Sequence, residues 1–412
     1  MPSIFGAFCP SGRSLAELTD VLFEASASRG GSSRLTHITN NFSLGARGES
    51  DDADFAIVAN LDKSVVAVIE GEIYNTSELS SLLGLSKPLS ADDSGFDLIV
   101  PLFEKFGESF PRHINGIFAI ALVDINAESI YLVRDHLGSR SLFYSTAGGM
   151  LTFSSTIRSL LKTGIVRPTL SLDSLNSYFC STAISPPDTL FQDVFSVRPG
   201  AMVRYKAGQI QDHDYWPIKD ISEDYETSMD EFAEQVRTLI IDSVSIRTRN
   251  NKPYGCLMSG GLDTSVVSAI LMQTCENRRL PVFSISFNEL SYSDSQLQQL
   301  MCDRYNFDAH TLVLSPRDYE DTLKRAVVHL DSPVNDIAMV GMYKAFEMAK
   351  KYGCKAVFEG EAADELFYTG HAHAEREFQK HLVIPYWFRK LLLGNTLTYM
   401  PIGDTVAQKI LR

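Results

Sequence analysis

A short loop between an apolar segment and a predicted helix has the composition of an anion-binding site. It reads Ser-Gly-Gly-Leu-Asp-Thr-Ser over Ser259–Ser265, and the apolar segment before it is Tyr254–Met258. Two adjacent glycines let the backbone turn tightly and approach a ligand closely. Hydroxyl groups and the free N–H groups of the helix then point at one spot, which the helix dipole makes favourable for negative charge. The residues predicted to contact phosphate are Ser259, Gly260, Gly261, Thr264 and Ser265.

An aspartate inside this loop, Asp263, adds a further requirement. A carboxylate repels a phosphate unless a cation lies between them, and Mg²⁺ that bridges carboxylate and phosphate oxygens resolves the conflict. The loop has neither the lysine and spacing of a Walker P-loop nor the G-x-G-x-x-G pattern of dinucleotide-binding proteins. The sequence therefore predicts a magnesium-dependent phosphate site of another class. The simpler alternative is a strand-to-helix turn with a helix cap.

A second acidic segment, Glu359–Glu365 (Glu-Gly-Glu-Ala-Ala-Asp-Glu), follows the predicted strand Lys355–Phe358. Open parallel sheets bind ligands beyond the carboxyl ends of their strands, so we expect both segments at one edge of a sheet. There Asp364 would share the metal with Asp263, and Glu361 would face the reacting centre. The alternative is an acidic first turn of a helix, which the helix dipole favours.

The elements that must position these segments alternate between strands and helices from about Thr227 onward. A helix with a capping box begins at Ser228, with Glu231 three residues later. Amphipathic helices then follow short apolar strands, and this alternation is typical of an α/β domain with a parallel sheet. The predicted strands are Tyr254–Met258, Val282–Phe287, His310–Leu314 and Lys355–Phe358.

The N-terminal part of the chain is predicted to be mostly β-structure. One helix is expected at Gly95–Phe110 from its helical spacing of apolar residues, and many strands with few helices favour an α+β arrangement of two packed sheets. We divide the chain into a first domain at residues 1–160, a connecting segment at 161–225 and a second domain at 226–412. The predicted strands of the first domain are Asp54–Asn60, Val65–Glu70, Ile117–Asp124, Ser129–Arg134 and Met150–Ser154.

Composition limits the class of protein. The chain has 412 residues, of which 44% are hydrophobic and 21% charged, with a formal net charge of −14. This acidity argues against nucleic acid as the main partner, because phosphate backbones require clustered cations. Since there is no basic and apolar leader and no apolar run of about 18 residues, we expect a cytoplasmic protein without a membrane partner. Its six cysteines lack C-x-x-C spacing and are expected to be free thiols.

Together these motifs resemble the asparagine synthetase superfamily. The segment Ser259–Ser265 is similar to the pyrophosphate loop of its ATP-pyrophosphatase domain, and Glu359–Glu365 is similar to its S-G-E-G-A-D-E segment. Three earlier stretches, Ile4–Gly6, Gly71–Asn75 and Arg134–Gly138, are similar to its glutaminase domain. The resemblance covers nearly the whole chain. It implies an Ntn-hydrolase-like α+β sandwich followed by an α/β parallel-sheet ATP-pyrophosphatase domain.

The resemblance also implies a reaction. A substrate carboxylate attacks the α-phosphorus of ATP to give an acyl-adenylate and pyrophosphate, and an amine then displaces AMP. The expected metal is Mg²⁺, held by Asp263 and Asp364, and Glu361 is the expected base for the attacking amine. The residues that the resemblance assigns to ATP or pyrophosphate are Leu257, Ser259, Gly261, Asp263, Ser265, Ile285 and Gly360.

Three positions depart from the family's glutaminase. Its cysteine nucleophile is replaced by Pro2, which offers neither a thiol nor a hydroxyl. Glu70 stands where an amide serves the oxyanion hole, and a carboxylate would repel an oxyanion. Gly95 stands where an aspartate grips the substrate glutamine. We therefore expect no glutamine hydrolysis, which leaves the turn at Arg134–Gly138 with a structural role.

The leading hypothesis is an ATP-dependent ligase that forms an amide bond on a small-molecule or peptide carboxylate without its own glutaminase. One alternative is an ammonia-dependent asparagine synthetase that acts on aspartate. Another is an ATP-binding pseudoenzyme or scaffold, which is favoured by Glu359 in place of a family serine and by a second domain that looks truncated at its C-terminus. Each hypothesis leaves room for a homodimer or a partner protein.

Overall fold

The computed structural model divides into two compact units. One contains residues 1–253, 285–290 and 311–356, and the described part of the other lies within 254–284, 291–310 and 357–367. The predicted domain boundaries at residues 160 and 225 stay a prediction. Among the described residues, no helix is both long and apolar enough to cross a membrane. The structure describes residues 1–9, 15–50, 54–85, 93–216, 224, 226–249, 252–274, 279–287, 293–336 and 338–367.

Two sheets of six described strands each dominate the first half of the chain. Their strands are β1 (Ser3–Phe8), β2 (Ser33–Ile38), β3 (Phe42–Gly48), β4 (Phe55–Ala59), β5 (Val65–Ile73), β6 (Gly116–Asp124), β7 (Ser129–Arg134), β8 (Phe143–Ser145), β9 (Leu151–Ser154), β10 (Phe195–Ser196), β11 (Ala201–Lys206) and β12 (Gln209–Asp214). One sheet has the order β10-β8-β9-β1-β3-β2 and the other β12-β11-β7-β6-β5-β4. The strand pairs described within both sheets are antiparallel.

The two sheets pack face to face, and helices cover their outer faces. Ile4 and Leu44 of one sheet belong to the same buried cluster as Val68 of the other. On the outer faces, Phe103 packs against the second sheet and Leu160 against the first. Burial of apolar area between these layers is the main source of stability. The helices of this half are α1 (Ala16–Ala25), α2 (Thr76–Leu83), α3 (Ile99–Phe106), α4 (Ile157–Lys162) and α5 (Leu172–Ser181).

The second half alternates between strands and helices, as predicted. Its described strands form a sheet in the order β15-β14-β13-β16, and β13 pairs with β14 in parallel, Cys256 opposite Val282 and Leu257 opposite Phe283. The strands are β13 (Tyr254–Leu257), β14 (Pro281–Phe287), β15 (Asp308–Leu314) and β16 (Ala356–Phe358). The helices are α6 (Met229–Thr248), α7 (Leu262–Thr274), α8 (Ser293–Tyr305), α9 (Pro316–Val327), α10 (Ala338–Lys351) and α11 (Ala363–Phe367). The predicted fold class, an α+β sandwich followed by an α/β parallel sheet, is confirmed.

Some predicted elements differ from those observed. The helix expected at Gly95–Phe110 consists of a 3₁₀ turn at Phe96–Leu98, the helix α3 and a second 3₁₀ segment at Gly107–His113. Gly107 has a positive φ of 55°, which ends an α-helix, and a proline follows within the next turn. Three strands of the predicted connecting segment, β10 to β12, extend the two sheets of the sandwich.

Candidate functional site

The loop after β13 is a compact turn held by bonds among its own groups. The Ser259 amide donates to the Thr264 hydroxyl at 3.3 Å, and the Gly261 amide donates to the Ser259 hydroxyl at 3.2 Å. Gly260 has a φ of 91°, which costs glycine little because it has no Cβ. The Ser265 amide donates to the Gly261 carbonyl at 3.1 Å, which begins α7. The predicted phosphate loop thus joins a strand to a helix N-terminus.

Buried residues fix the strand beneath this loop. The Met258 amide donates to the Phe283 carbonyl at 2.9 Å, and both side chains are 1% exposed. The Ser284 hydroxyl donates to the Met258 carbonyl, and the Gln298 amide donates to the Ser284 hydroxyl. The loop is therefore anchored by the strand and sheet core below it.

The second acidic segment lies directly against the first loop. A Cβ added to Gly360 would lie 2.7 Å from the Asp263 Cβ and 2.8 Å from the Thr264 amide nitrogen. Contacts this short are not tolerated, so this position requires a residue without a side chain. The two loops that were expected at one sheet edge are in contact at the start of α7.

The polar groups of the two loops face outward. Ser259, Gly261, Glu361 and Asp364 are exposed, and Asp263 is half-buried. A carboxylate pair fits Mg²⁺, which commonly keeps several waters and is bound by one or two carboxylates together with substrate phosphates. Within the described part of the chain, no group of three or more metal-ligating side chains forms a complete site. The assignment of Asp263 and Asp364 to Mg²⁺ stays a prediction.

Glu359 is the unusual member of this site. Its Oε2 is buried without a hydrogen-bond partner in the structure. Burial, and then the neighbouring carboxylate of Glu361, raise its pKa above the ordinary value. Nearby, burial and the charge of Glu359 raise the pKa of the Cys256 thiol to about 12, which keeps that thiol protonated. The sequence indicated the extra charge of Glu359, but no pattern indicated that Cys256 would share its surroundings.

Two predicted nucleotide contacts lie on the strands that carry the site. Leu257 is the last residue of β13 and is half-buried. Ile285 lies on β14, and a Cβ added to Gly341 of α10 would be 3.7 Å from its Cγ2. Ile285 therefore packs beside a helix backbone. The assignment of both side chains to an adenosine site stays a prediction.

Two of the three positions that are predicted to replace glutaminase residues are buried. Pro2 is buried, and Glu70 is 2% exposed. The Ser155 hydroxyl donates to the Glu70 carboxyl at 2.6 Å. Burial raises the pKa of Glu70, and the guanidinium groups of Arg140 and Arg29 oppose that rise. Glu70 is thus enclosed by protein groups and has become part of the core.

Gly95, the third position predicted to be a replacement, has a backbone conformation and close neighbours that favour glycine. It has a φ of 71°, and an added Cβ would lie 2.6 Å from the Thr76 Cγ2. An aspartate at this position would therefore require the chain to shift as well as to accept a strained backbone. The substitution to glycine is built into the surrounding structure.

The Arg134 and Asp135 side chains of the Arg134–Gly138 turn are bonded to other protein groups. The buried Asp135 carboxylate accepts the amides of Ser139 and Arg140, each at 3.0 Å. The Arg134 guanidinium donates to the carbonyls of Arg140 at 2.6 Å and Gly138 at 2.7 Å. The Arg134 guanidinium also donates to the Ser196 hydroxyl at 3.1 Å and to the Val197 carbonyl at 2.9 Å. The structural role of the turn stays a prediction.

Two side chains of the Gly71–Asn75 stretch, Glu72 and Tyr74, also have structural contacts. Glu72 and Asp54 both form ion pairs with Lys252, which precedes β13 by two residues. The guanidinium carbon of Arg247 lies 4.9 Å from the centre of the Tyr74 ring. The sequence did not indicate these contacts, because Lys252 is far from Glu72 along the chain.

Comparisons with known proteins agree with these motifs. The family model described as a glutamine amidotransferase domain matches residues 1–216, just over half of the chain. The model described as asparagine synthase matches residues 235–408. The Gly360–Asp263 contact thus lies in the second match, and Pro2, Glu70 and Gly95 lie in the first.

This chain is also similar in sequence to three curated relatives. A putative glutamine-hydrolysing asparagine synthetase of Methanocaldococcus jannaschii is 27% identical over 77% of this chain and 61% of its own length. A glutamine-hydrolysing asparagine synthetase of Bacillus subtilis is 27% identical over 83% of this chain and 53% of its own length. The amidase chry2 of Gibberella zeae is 26% identical over 73% and 46%, respectively. The chain therefore spans about half to three fifths of the length of these relatives.

Proposed function

This chain belongs to the family in which a glutamine amidotransferase domain precedes an asparagine synthase domain, and from that premise we propose that it is an ATP-dependent ligase that forms an amide bond. The observation that carries the proposal is the contact of Gly360 with Asp263 and Thr264, which unites two loops in one site. One loop offers hydroxyls and helix N–H groups to phosphate. The other offers carboxylates for metal and proton.

In the first step, a substrate carboxylate oxygen attacks the α-phosphorus of ATP, and the bond from that phosphorus to the bridging oxygen breaks. Ser259, Thr264 and Ser265 hold the departing pyrophosphate, together with the backbone of Gly260 and Gly261. Asp263 and Asp364 are the residues that would hold Mg²⁺. When bound, this ion neutralises phosphate charge and orients the phosphate oxygens. Leu257 and Ile285 line the adenosine.

In the second step, an amine attacks the acyl carbon of the adenylate and AMP leaves. The proton lost by the amine passes to Glu361, which is exposed and can approach a bound substrate. Since Pro2 lacks a nucleophile and Glu70 is buried as part of the core, the nitrogen comes from free ammonia or from an amine on the substrate, and glutamine is not its source.

There are two candidates for the acyl substrate. A small-molecule or peptide carboxylate is our leading proposal. The reason is that the proposed loss of glutaminase activity removes the ammonia supply that asparagine synthetases use. Ammonia-dependent synthesis of asparagine from aspartate is the second candidate, favoured by Glu361 and by relatives named asparagine synthetase. A cytoplasmic location and a homodimer or partner protein belong to the same proposal.

Release of pyrophosphate tests the proposal. The full chain is incubated with Mg-ATP, and pyrophosphate and AMP are measured with and without aspartate plus ammonium, and then with larger carboxylates. Aspartate-dependent release with formation of asparagine would favour the synthetase candidate. Release that needs a larger carboxylate would favour the leading proposal. Glutamine that replaces ammonium equally well would contradict the assigned loss of the glutaminase.

A pseudoenzyme is the remaining candidate, and Glu359 is the observation that favours it. Its buried carboxylate Oε2 has no partner and would add negative charge beside a nucleotide if it were ionised. Binding of Mg-ATP without pyrophosphate release under any of these conditions would support this candidate and contradict the ligase. Restoration of release by Glu359→Ser would identify this carboxylate as the cause.

A further inference from the structure

A cavity of about 790 Å³ lies in the unit that contains the sandwich, and the proposed function does not use it. Its lining includes α4 and the chain that leaves α9, and none of its lining residues belongs to the two loops of the candidate site. The volume is in the range of small-molecule sites, which combine apolar walls with a few polar groups. The lining of this cavity likewise combines apolar and charged residues.

The walls are apolar on two sides. Ile157 and Leu161 are one helical turn apart on α4, and Phe191 lies beside them in the lining. On the other side, Val327 and Val328 are 54% and 49% exposed. Exposed apolar side chains that line a concave surface are typical of a surface that a ligand covers.

The charged groups of the cavity fall into two sets. Arg29 and Asp331 form a partly buried ion pair at 3.7 Å, and Asp331 also accepts the Ile157 amide at 2.8 Å. The second set, Arg158 and Lys162, is exposed and occupies positions i and i+4 on α4, so that both side chains lie on one helix face. Asp331 is the one carboxylate among the lining residues; it pairs with Arg29, and the charge of Arg158 also acts on it.

We propose that this cavity binds an amphipathic anion. Its apolar body would lie between the α4 wall and Val327 and Val328, and its carboxylate would meet Arg158 and Lys162. Three cationic side chains share the lining with one carboxylate, whereas the whole chain has a net charge of −14. This local excess of positive charge selects an anion, and the apolar walls select one with a hydrocarbon part.

Calorimetric titration of the full chain with octanoate tests the proposal, with octanamide as the neutral match and acetate as the match without a body. We expect octanoate to bind about tenfold more tightly than either compound, because each lacks one of the two interactions. The double variant Arg158→Gln, Lys162→Gln should weaken octanoate by about tenfold and leave octanamide unchanged. Phe191→Ala should weaken both.

The control is Lys206→Gln, which removes an exposed cation outside the cavity and should leave octanoate binding unchanged. Thermal melting of each variant establishes that it is folded. Equal affinity for octanoate and octanamide, or octanoate binding that survives the double variant, would overturn the proposal. So would the absence of octanoate binding at millimolar concentration in the parent chain.

Discussion

The region around Glu70 and Arg134 and the loop pair at Ser259 and Glu361 carry motifs of the same family, but they differ in the exposure of their polar groups. In the first, the Asp135 carboxylate accepts backbone amides, and the Arg134 guanidinium donates to backbone carbonyls that include the one of Val197. Glu70 is bonded to Ser155 in the core. In the second, Ser259 and Glu361 remain exposed. Exposure of the polar groups thus separates the two regions, and the loss of glutaminase chemistry in the first stays a prediction.

The largest expected effect concerns Asp263. If the loop pair is the active region, Asp263→Asn should lower magnesium-dependent pyrophosphate release by at least about 100-fold, because loss of a charge-stabilising group at the reacting phosphates costs this much. Asp188→Asn, which changes an exposed carboxylate outside the loops, is the matched control. Undiminished release by Asp263→Asn would contradict the proposal that the loop pair is the active region.

The contact between the two loops should be the next most sensitive feature. Gly360→Ala places a methyl group 2.7 Å from the Asp263 Cβ, so we expect it to push the loops apart and reduce pyrophosphate release by about tenfold. Gly341→Ala is the control for stability, because its new methyl group makes ordinary contacts at 3.7 Å or more and lies in a helix. Its melting temperature should be unchanged or raised. Full activity in Gly360→Ala would show that the loops need not touch.

A matched pair of glycines measures how much the close packing around Gly95 contributes to stability. Gly95 and Gly84 have nearly the same φ, 71° and 73°, but an added Cβ meets Thr76 at 2.6 Å only in the first case. Both alanine variants bear the backbone strain, and we expect Gly95→Ala to lose about 1 kcal/mol more in the free energy of unfolding. Denaturant titration gives this difference. Equal losses would mean that the chain near Gly95 adapts easily.

The smallest expected effect is the pH dependence caused by Glu70. Burial raises its folded pKa, so the stability from this group is fully present below the unfolded pKa of about 4.3 and is lost as pH rises through the folded pKa. Glu70→Gln removes this loss. Its melting temperature relative to the parent should rise by about 2–4 °C between about pH 5 and about pH 8.

The control for this titration is Glu49→Gln, which changes an exposed carboxyl group and should show no such trend. A difference between Glu70→Gln and the parent that stays constant with pH would contradict the raised pKa. The guanidinium groups of Arg29 and Arg140 would then stabilise the ionised carboxylate more strongly than burial destabilises it.

Local sequence signals were sufficient to predict several elements in the second half of the chain. The capping box at Ser228 and Glu231 forms as predicted, because both partners lie within one turn of helix. The Ser-Gly-Gly loop could be predicted after its strand because its glycines and hydroxyl-bearing residues lie within a few positions of one another. The fold class also followed from alternation of strands and helices. In contrast, β1 was missed, because all six of its residues are buried and show no alternation of polar and apolar positions.

The sequence by itself determined the family, the fold class and the identity of the two loops, since these depend on residue type and short spacing. Only the tertiary structure decided that Gly360 lies against Asp263, that Lys252 forms ion pairs with Glu72, and that Val327 and Ile157 line one cavity. Each of these pairs is separated by many residues along the chain. Their proximity follows from the packing of whole sheets and helices, which no local pattern encodes.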